Sequence, residues 1–560
     1  MHAVLSRLEE TLLPFPDTMV LKEGRIERVR LSLTDKVQHS AGRAFQAFLY
    51  LLALPPAALY SAALSLMSSA SPPKEETPAA MDLIEEIAAA YPATHGFAQS
   101  LFQDEGLGTY ASPTSLEGEC NWNRWLSAEH IEGEVTDYRK YFVRILSNPK
   151  PFVDLLKKMG VNAHRFSLEW AVLEPKKGEI DPRALALYKN FLHELKEAGI
   201  EPWGTLHHFV LPQWAEDAGG FLNEEVRDHF VQHSLKMMEL FPEISHWMTF
   251  NETGGYAMQS QIRGVYPPGT SGDFAKAGLL IRNLLAAHSM IYLEAKKQHG
   301  DKVQIGITHQ WLKFLPLEGN LLERLICYVM SKITHYSIYN FFKTGRFEYQ
   351  VPGAANVCFE IPESEFLGNR RCLDFIAPQF YGFPRIKAGW NGGHPYPGYQ
   401  VKNWTFWKLG FSFGSSCHPG EQMQAFGPKV DPESLRECLQ EASELAPIAI
   451  TEIGCDAMIQ EHGAFGDDHF TLNEEVQKSY FSAIAPILKE YKDRIFAIFI
   501  WTLIRGQLEW DRGNRPALGL APVQVDSDRN IIGCQMTPSA GLIQKIYQEK
   551  MRQIAQTQAA

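Results

Sequence analysis

Cysteine is scarce and scattered in this sequence of 560 residues. Its eight cysteines form no C-x-x-C pair and show no metal-ligand spacing, which argues against a zinc site or a disulfide scaffold. Basic residues are also in the minority, since 53 Lys and Arg stand against 65 Asp and Glu, giving a net charge of −12. Nucleic acid binds basic surfaces, so it is not expected as a partner. We likewise expect no metal and no other cofactor.

Charged residues are absent from one long stretch, residues 44–67. About 20 apolar residues cross a bilayer, but Pro55 and Pro56 divide this stretch into halves that reach only ~16 Å each as helix. A re-entrant hairpin, a kinked single span and a helix pair docked on the protein core are the three interpretations. Basic residues before the stretch, including Arg28 and Arg43, favour a cytoplasmic location for its N-terminal side.

This hydrophobic stretch divides the chain into four segments. Residues 1–43 are polar and lean basic, and 44–67 form the candidate membrane anchor or hairpin. Residues 68–80, rich in Ser and Pro, are typical of a flexible linker. Residues 81–555 contain enough apolar sequence for a large core, because 45% of the whole chain is hydrophobic.

After the linker, short apolar stretches alternate with longer segments of helical periodicity. The eight predicted strands are 94–100, 163–170, 201–209, 246–252, 303–309, 374–381, 447–454 and 495–503. Continuous apolar strands alternating with helices indicate a parallel sheet covered on both faces. Eight units favour an α/β fold of the (β/α)8 TIM barrel type with an N-terminal hydrophobic extension, and a doubly wound open sheet is the alternative.

Polar residues close several of these predicted strands. They are His207 and His208 on the third, Asn251 and Glu252 on the fourth, Tyr381 on the sixth, Glu452 on the seventh and Trp501 on the eighth. In either fold, ligands gather at the carboxyl ends of the strands. The positions therefore predict one shared site at that edge.

Two of these residues, Glu252 and Glu452, lie three strands apart and would face each other across a barrel mouth. Retaining cleavage of a glycosidic bond requires two carboxyl groups roughly 5–5.5 Å apart, one a nucleophile and the other an acid/base. The two groups need different environments, because one must stay ionised while the other holds its proton.

The residues around both glutamates resemble glycoside hydrolase family 1, the β-glucosidase family of retaining barrels. TFNE and ITEIG are similar to its acid/base and nucleophile motifs. Five further stretches match in the same order along the chain: AQSLFQDEG (98–106), RFSLEW (165–170), TLHHFVLPQW (205–214), DFIAPQFYG (374–382) and WTLIRGQLEW (501–510).

This resemblance implies a role for each matched residue. Glu452 would be the nucleophile, oriented by Tyr381, and Glu252 the acid/base. Asn251 would bind the sugar 2-hydroxyl. The other implied sugar-binding residues are Gln103, His208, Trp501, Glu509 and Trp510. Family members that take 6-phosphorylated sugars lack a carboxylate at the position of Glu509, so a free β-D-hexoside is the expected substrate.

Four positions depart from the family pattern. Thr253 and Ile453 replace the proline and the asparagine that normally follow the two glutamates, Gln379 replaces an asparagine, and Leu518 a phenylalanine. Misplacement by ~1 Å costs on the order of 100-fold in rate. A catalytically weak glycan-binding barrel is therefore one alternative function.

The segment after the sixth predicted strand, residues 382–414, is rich in Gly, Pro and aromatic residues. We expect aromatic residues of this segment to line an apolar groove that holds the leaving group. They are Trp390, Tyr396, Tyr399, Trp404 and Trp407. With the stretch at 44–67, such a groove resembles the membrane-attached galactolipid galactosyltransferases of plants within the same family. This likeness indicates a glycolipid substrate and, as a second alternative, glycosyl transfer instead of hydrolysis.

Two N-x-[ST] sequons bear on the location of the domain. The first contains Asn251 and Glu252, so a glycan there would block the predicted site, and the second begins at Asn403. Together with the scattered thiols, this favours a membrane-associated protein whose catalytic domain faces the cytoplasm. The sugar, the aglycone and the oligomeric state stay open.

Overall fold

The structure is a computed structural model that describes residues 17–29, 83–106, 119–127, 142–368, 371–390, 400–406, 411–417, 423–424, 431–462, 468–506, 508–510 and 516–559. The stretch at 44–67 and the linker after it therefore lie outside the described residues. Between residues 389 and 424 the description extends to the backbone only, so the predicted aromatic groove and the sequon at Asn403 also fall outside the described side chains.

The described strands follow one another along most of the chain. In chain order they are β1 (Asp17–Lys22), β2 (Arg25–Val29), β3 (Thr94–Ala98), β4 (Ala163–Ser167), β5 (Glu201–Thr205), β6 (His246–Met248), β7 (Gln304–Gln310), β8 (Leu315–Pro316), β9 (Arg346–Val351), β10 (Ala355–Glu360), β11 (Phe375–Phe380), β12 (Arg385–Trp390), β13 (Gln400–Phe406), β14 (Phe411–Cys417), β15 (Met423–Gln424), β16 (Ile448–Ile453), β17 (Met458–His462), β18 (Asp468–Leu472), β19 (Ile495–Ile500), β20 (Ile504–Arg505), β21 (Ala521–Val525) and β22 (Ile531–Cys534).

Helices separate the successive barrel strands. In chain order they are α1 (Ile84–Ala90), α2 (Leu101–Glu105), α3 (Asn121–Ser127), α4 (Pro149–Met159), α5 (Trp170–Leu173), α6 (Pro182–Glu197), α7 (Gln213–Asp217), α8 (Glu224–Leu240), α9 (Thr253–Ala257), α10 (Phe274–His299), α11 (Leu321–Ser331), α12 (Ser337–Thr344), α13 (Ser434–Ser443), α14 (Glu474–Ala483), α15 (Ala485–Glu490) and α16 (Pro538–Ala559). Local sequence sets their starts. Asp181, for example, caps α6 through hydrogen bonds from two backbone N–H groups, and Pro182 supplies a favourable first residue.

Eight strands close into a parallel barrel in the order β3, β4, β5, β6, β7, β11, β16, β19. Each coincides with one of the eight strands predicted from the sequence. The predicted (β/α)8 barrel is therefore confirmed, and the alternative prediction of a doubly wound open sheet is wrong. Large and small apolar side chains fill the barrel interior, as this fold requires. They include Ala98, Ala163, Trp203, Met248, Phe375, Ala377, Ala449, Ala497 and Phe499.

The N-terminal hairpin β1–β2 packs on the same body, which the sequence did not predict. Strand β1 pairs in parallel with β10, from Asp17 opposite Val357 to Val20 opposite Glu360. Met19 and Leu21 are buried, and Arg282 binds Asp17 at 2.9 Å. The chain therefore belongs to the barrel body both before and after the hydrophobic stretch.

A second sheet lies at the rim of the barrel. It has the order β13, β14, β12, β8, and β12 begins four residues after Tyr381. The segment at 382–414, in which the sequence predicted an apolar groove, thus contains backbone strands. Among the helices of the described residues, none is long and apolar enough to cross a membrane.

Candidate active site

The two glutamates predicted as catalytic lie at the carboxyl ends of barrel strands. Glu452 belongs to β16, and Glu252 lies four residues after the end of β6, in the left-handed backbone region with φ of 44°. This uncommon conformation for a non-glycine residue places Glu252 at the start of α9. Glu452 is buried, whereas Glu252 keeps part of its surface exposed. The negative charge of Glu452 raises the pKa of Glu252, so the two carboxyl groups lie close enough to interact.

Three donors hold the carboxylate of Glu452. Arg165 Nη1 and Gln379 Nε2 donate to its Oε1 at 2.6 and 2.5 Å, and the Tyr381 hydroxyl donates to its Oε2 at 2.7 Å. Charge-assisted hydrogen bonds of this kind favour the ionised form and fix the side-chain rotamer. Glu452 is thus oriented by Arg165 from β4 and by Gln379 and Tyr381 at the end of β11.

Asn251 is held with its amide in one orientation. Its Oδ1 accepts from Arg165 Nη2 at 2.6 Å, from Gln379 Nε2 at 2.7 Å and from Thr308 Oγ1 at 3.1 Å. With the oxygen surrounded by donors, the Nδ2 group must point the other way. No acceptor among the described residues takes a hydrogen bond from Nδ2, which leaves it available to a ligand.

Electrostatics separate the two glutamates. Burial, the negative charge of Glu452 and the charge of Glu509 raise the pKa of Glu252 well above its usual range, with Arg165 opposing them. Burial also raises the pKa of Glu452, but Arg165 and Tyr381 act against that rise. Within the described part of the chain, no group donates a hydrogen bond to the Glu252 carboxyl. Glu252 is therefore the group that holds a proton, and Glu452 the one that is stabilised as an anion.

The predicted sugar-binding residues converge beside this pair. The His208 ring stacks against Trp501 and Trp510, with centroids 5.7 and 6.1 Å apart. Trp501 Nε1 donates to Glu509 Oε1 at 3.1 Å, and Gln103 Nε2 donates to the carbonyl of Leu508 at 2.6 Å. The structure thus brings together every predicted site residue.

Two polar side-chain atoms beside the glutamate pair have unused hydrogen-bonding capacity. Gln103 Oε1 and His208 Nδ1 are buried and have no hydrogen-bond partner among the described residues. Burial and the positive charge of Arg165 hold the pKa of His208 well below its usual range, so its ring is neutral. A neutral imidazole both donates and accepts hydrogen bonds, as recognition of sugar hydroxyls requires.

The residues that depart from the family pattern also have defined places. Thr253 is the buried first residue of α9, and Ile453 ends β16 opposite Phe380 in β11. Leu518 is buried in the cluster that contains Trp501. Gln379 contacts Glu452 and Asn251 directly, so this departure lies within the catalytic constellation itself.

Two contributing residues were not assigned from the sequence. The Arg165 guanidinium donates to both Glu452 and Asn251. The Thr308 hydroxyl donates to the side-chain oxygen of Asn251. The signal for Arg165 was present, because a charged residue inside an apolar barrel strand must have a buried partner. Thr308 gives no comparable signal, since threonine is common in strands.

Metal-binding arrangements are not found in the described ranges, where no group of three or more His, Cys, Asp or Glu side chains is placed to hold an ion. Seven cysteines in those ranges are free thiols, and six of them are buried.

Comparison with known proteins agrees with this geometry. Residues 98–532 match the model of Glycosyl hydrolase family 1. A 6-phospho-beta-galactosidase of Staphylococcus haemolyticus is 24% identical over 458 residues, covering 77% of this chain and 93% of that protein.

Solved structures share the fold. A beta-glucosidase from Exiguobacterium marinum has a TM-score of 0.64 at 20% identity, covering 82% of this chain and 97% of its own. A beta-glycosidase from Pyrococcus horikoshii has a TM-score of 0.59 at 22% identity, covering 84% and 96%. Because the family model spans most of the chain and the barrel carries the paired carboxyl groups, this protein belongs to glycosyl hydrolase family 1 and is a glycoside hydrolase.

Proposed function

We propose that the protein cleaves β-D-hexosides with retention of configuration, with Glu452 as nucleophile and Glu252 as acid/base. The observation that carries this proposal is the unequal treatment of the two carboxyl groups. The Glu452 carboxylate receives three hydrogen bonds, from Arg165, Gln379 and Tyr381. The Glu252 carboxyl receives none from the described residues, and its pKa is raised. A nucleophile and a proton donor require these opposite environments.

In the first step, Glu452 attacks the anomeric carbon while Glu252 gives its proton to the leaving oxygen. The bond from the anomeric carbon to the aglycone breaks, and a glycosyl ester with Glu452 forms. Arg165 and Gln379 hold Oε1 and Tyr381 holds Oε2, so the carboxylate reaches the carbon without rotation. Loss of the Glu452 charge then lowers the pKa of Glu252, because one cause of its elevation is removed.

In the second step, Glu252 is a base. It takes a proton from an incoming water, whose oxygen attacks the anomeric carbon and releases Glu452. The pKa of Glu252 is thus high while Glu452 is an anion and lower while Glu452 is bound to the sugar. Two inversions at the same carbon give net retention.

The proposed substrate is a hexoside without a 6-phosphate. The Glu509 carboxylate accepts from Trp501 and acts electrostatically on Glu252, which supports a role for it in the proposed sugar pocket. A phosphate dianion there would meet the Glu509 carboxylate, and repulsion of like charges disfavours that complex. The relatives named 6-phospho-beta-galactosidases supply the competing candidate, a 6-phosphorylated galactoside.

A panel of nitrophenyl β-glycosides tests the proposal, with gluco, galacto, fuco and 6-phosphogalacto sugars on wild type and Glu452→Gln. We expect turnover of an unphosphorylated sugar and its loss in the variant. Preference for the 6-phosphate would overturn the substrate assignment. Binding without release of nitrophenol would instead identify the glycan-binding barrel.

A second candidate function is glycosyl transfer on membrane glycolipids. The observation that favours it is the charge-free stretch at 44–67, which would bring the site to a lipid surface. In that reaction a sugar hydroxyl replaces water in the second step, with Glu252 again as base. Vesicles containing a galactolipid distinguish the two outcomes, since transfer makes lipids with longer sugar headgroups and hydrolysis releases free sugar only.

We further propose that the domain attaches to the membrane on one side, facing the cytoplasm. Strand β1 pairs with β10, and α1 packs on α16, so the chain on both sides of 44–67 belongs to one body. A single span would place β1 across the membrane from β10, which supports the hairpin. Asn251 is buried among three donors, where no glycan fits. Protease treatment of sealed, cytoplasm-facing-out vesicles should digest both strands β1 and β2 and the barrel, and protection of either would contradict this topology.

A further inference from the structure

Thr308 lies near the carboxyl end of β7, beside the residues that lead from β6 to the acid/base. Its side chain is fully buried. The hydroxyl oxygen lies 3.0 Å from the backbone nitrogen of Glu252. It also lies 3.1 Å from Asn251 Oδ1 and 3.1 Å from the carbonyl oxygen of Phe250. A backbone N–H can only donate, so the hydroxyl accepts from Glu252 and gives its own proton to one of the two oxygens.

Glu252 has a backbone conformation that its surroundings must maintain. Its φ of 44° and ψ of 59° lie in the left-handed region, which is uncommon for a residue with a side chain. Such a conformation persists only where neighbouring contacts fix it. Before Glu252, the Asn251 N–H donates to the carbonyl of His207, and after it the Glu252 carbonyl accepts from the Tyr256 N–H, both at 2.8 Å. The hydroxyl of Thr308 adds the contact at the N–H of Glu252 itself.

The carboxyl group of Glu252 is not held in the way that of Glu452 is held. Three side-chain donors fix the Glu452 carboxylate, whereas no described residue donates to the Glu252 carboxyl. A Cβ at Gly255 would lie 3.2 Å from Glu252 Oε2, and a Cβ at Gly254 would lie 2.4 Å from the carbonyl oxygen of Thr334. The first turn of α9 is therefore packed closely beside the acid/base. The direction of the Glu252 side chain is set from its backbone.

We propose that Thr308 is a positioning residue for the acid/base, which acts through the hydrogen bond that it accepts from the Glu252 N–H. The hydroxyl holds the left-handed backbone of Glu252, and this backbone directs the carboxyl group toward the leaving oxygen. The inference rests on the proposed function, because it assigns proton transfer to Glu252. Proton transfer needs a donor within hydrogen-bond reach of the leaving oxygen, and misplacement by ~1 Å costs on the order of 100-fold in rate.

Thr308→Val tests this inference, because valine has nearly the same shape without the hydroxyl. The Glu252 N–H then loses its acceptor, and a buried N–H without a partner favours a different backbone conformation. The measured quantity is kcat/KM for a dinitrophenyl β-glycoside divided by kcat/KM for the phenyl β-glycoside of the same sugar. Only the phenyl leaving group needs the proton from Glu252, so we expect this ratio to rise ~10-fold or more in the variant.

Azide gives an independent measure of the second step. It attacks the anomeric carbon of the glycosyl ester without releasing a proton, so that a glycosyl azide forms and Glu452 leaves as the carboxylate. We expect azide to raise kcat of Thr308→Val on the dinitrophenyl glycoside and to leave kcat of wild type unchanged. Thr308→Ser keeps the hydroxyl and should restore the wild-type ratio and azide response. Thr308→Ala also lacks the hydroxyl and should behave as Thr308→Val, so it replaces the valine variant if that one fails to fold.

Thr249→Val is the matched control. Thr249 is also fully buried and lies as near to Glu252 in the chain as the end of β6, but its hydroxyl is hydrogen-bonded to His288 Nδ1 on α10 at 2.8 Å. Its ratio and its azide response should equal those of wild type. Equal losses on both substrates in the Thr308 variants, or the same rise in ratio in Thr249→Val, would overturn the inference and show a purely structural role. Wild type without activity on any β-glycoside would instead refute the proposed function.

Discussion

The two ends of the barrel handle buried charge in opposite ways. At the amino ends of the strands, Lys296 binds Asp374 at 2.6 Å, and Asp374 also accepts from the Ile305 N–H and the Tyr292 hydroxyl. At the carboxyl ends, Glu252 has no donor among the described residues, and its nearest strong influences include two more carboxylates. The amino ends therefore satisfy the Asp374 carboxylate within the protein, whereas the carboxyl ends satisfy Glu452 and leave the Glu252 carboxyl open to a ligand.

This difference indicates where stability and reactivity are located. Satisfied buried pairs are costly to break, because removal of one partner leaves the other unpaired. Open groups at the catalytic end destabilise the free enzyme and are stabilised when substrate arrives. Substitutions at the two ends should therefore separate cleanly into losses of stability and losses of rate.

Glu252→Gln should have the largest effect and act on rate alone. Loss of the proton donor costs ~10²–10⁴-fold for substrates with poor leaving groups and far less for dinitrophenyl glycosides, which leave without protonation. The raised pKa of Glu252 means that wild-type kcat/KM falls on the alkaline side as this group ionises. That alkaline limb should vanish in the variant. An unchanged limb would assign the proton donor to another residue.

Lys296→Met should lower the free energy of unfolding by about 3–5 kcal/mol while leaving KM near that of wild type. The reason is that Asp374 loses its partner in a site that is almost wholly buried. Urea unfolding followed by tryptophan fluorescence measures the change. Lys297→Met is the control on the same helix, because Lys297 is 62% exposed and its pair with Glu294 is a surface contact. Equal losses in both variants would contradict the proposed difference between the two ends.

Glu169→Gln should have the smallest effect, confined to a defined pH window. Burial raises the pKa of Glu169 from 4.5 to about 7, so the folded protein keeps this proton after the unfolded chain has released it. Wild-type stability is therefore lost as pH rises from about 4.5 to 7, by about 3 kcal/mol in total. Glutamine still accepts from Ser167 and the Phe102 N–H, which now bind the Glu169 Oε1. The variant should match wild type at pH 4.5 and melt higher at pH 7; identical melting at both values would contradict the assignment.

The barrel could be predicted from the sequence because its signal is local and repeated. Each buried strand, such as β16 or β19, is a short apolar run, and each is followed by helical periodicity. The N-terminal hairpin could not be placed in the same way. The turn at Glu23 and Gly24 is visible in the sequence, but the partner of β1 lies more than three hundred positions further on, in β10. Pairings of that separation leave no local pattern.

In the candidate site, too, local sequence predicted the positions of residues but not their long-range contacts. Residue types at strand ends predicted the positions of Glu252, Glu452 and Tyr381, and the fold brings them to one edge. The roles of Arg165 and Gln379 depend on which atom of each side chain faces which neighbour, and this is decided by packing and register. From the sequence, glutamine in place of asparagine at position 379 suggested weaker catalysis. In the structure, its longer side chain donates hydrogen bonds to both Glu452 and Asn251.

The most direct test of the two-carboxylate account is to trap the sugar on the enzyme. A dinitrophenyl 2-deoxy-2-fluoro-β-glycoside should react once and then stall. Fluorine at the 2-position disfavours the positively charged transition states of both steps, whereas the activated leaving group speeds only the first step. Peptide mass spectrometry should find the fluorosugar on Glu452, with one dinitrophenolate released per enzyme. A label on Glu252, or continued turnover with no labelled peptide, would contradict the account.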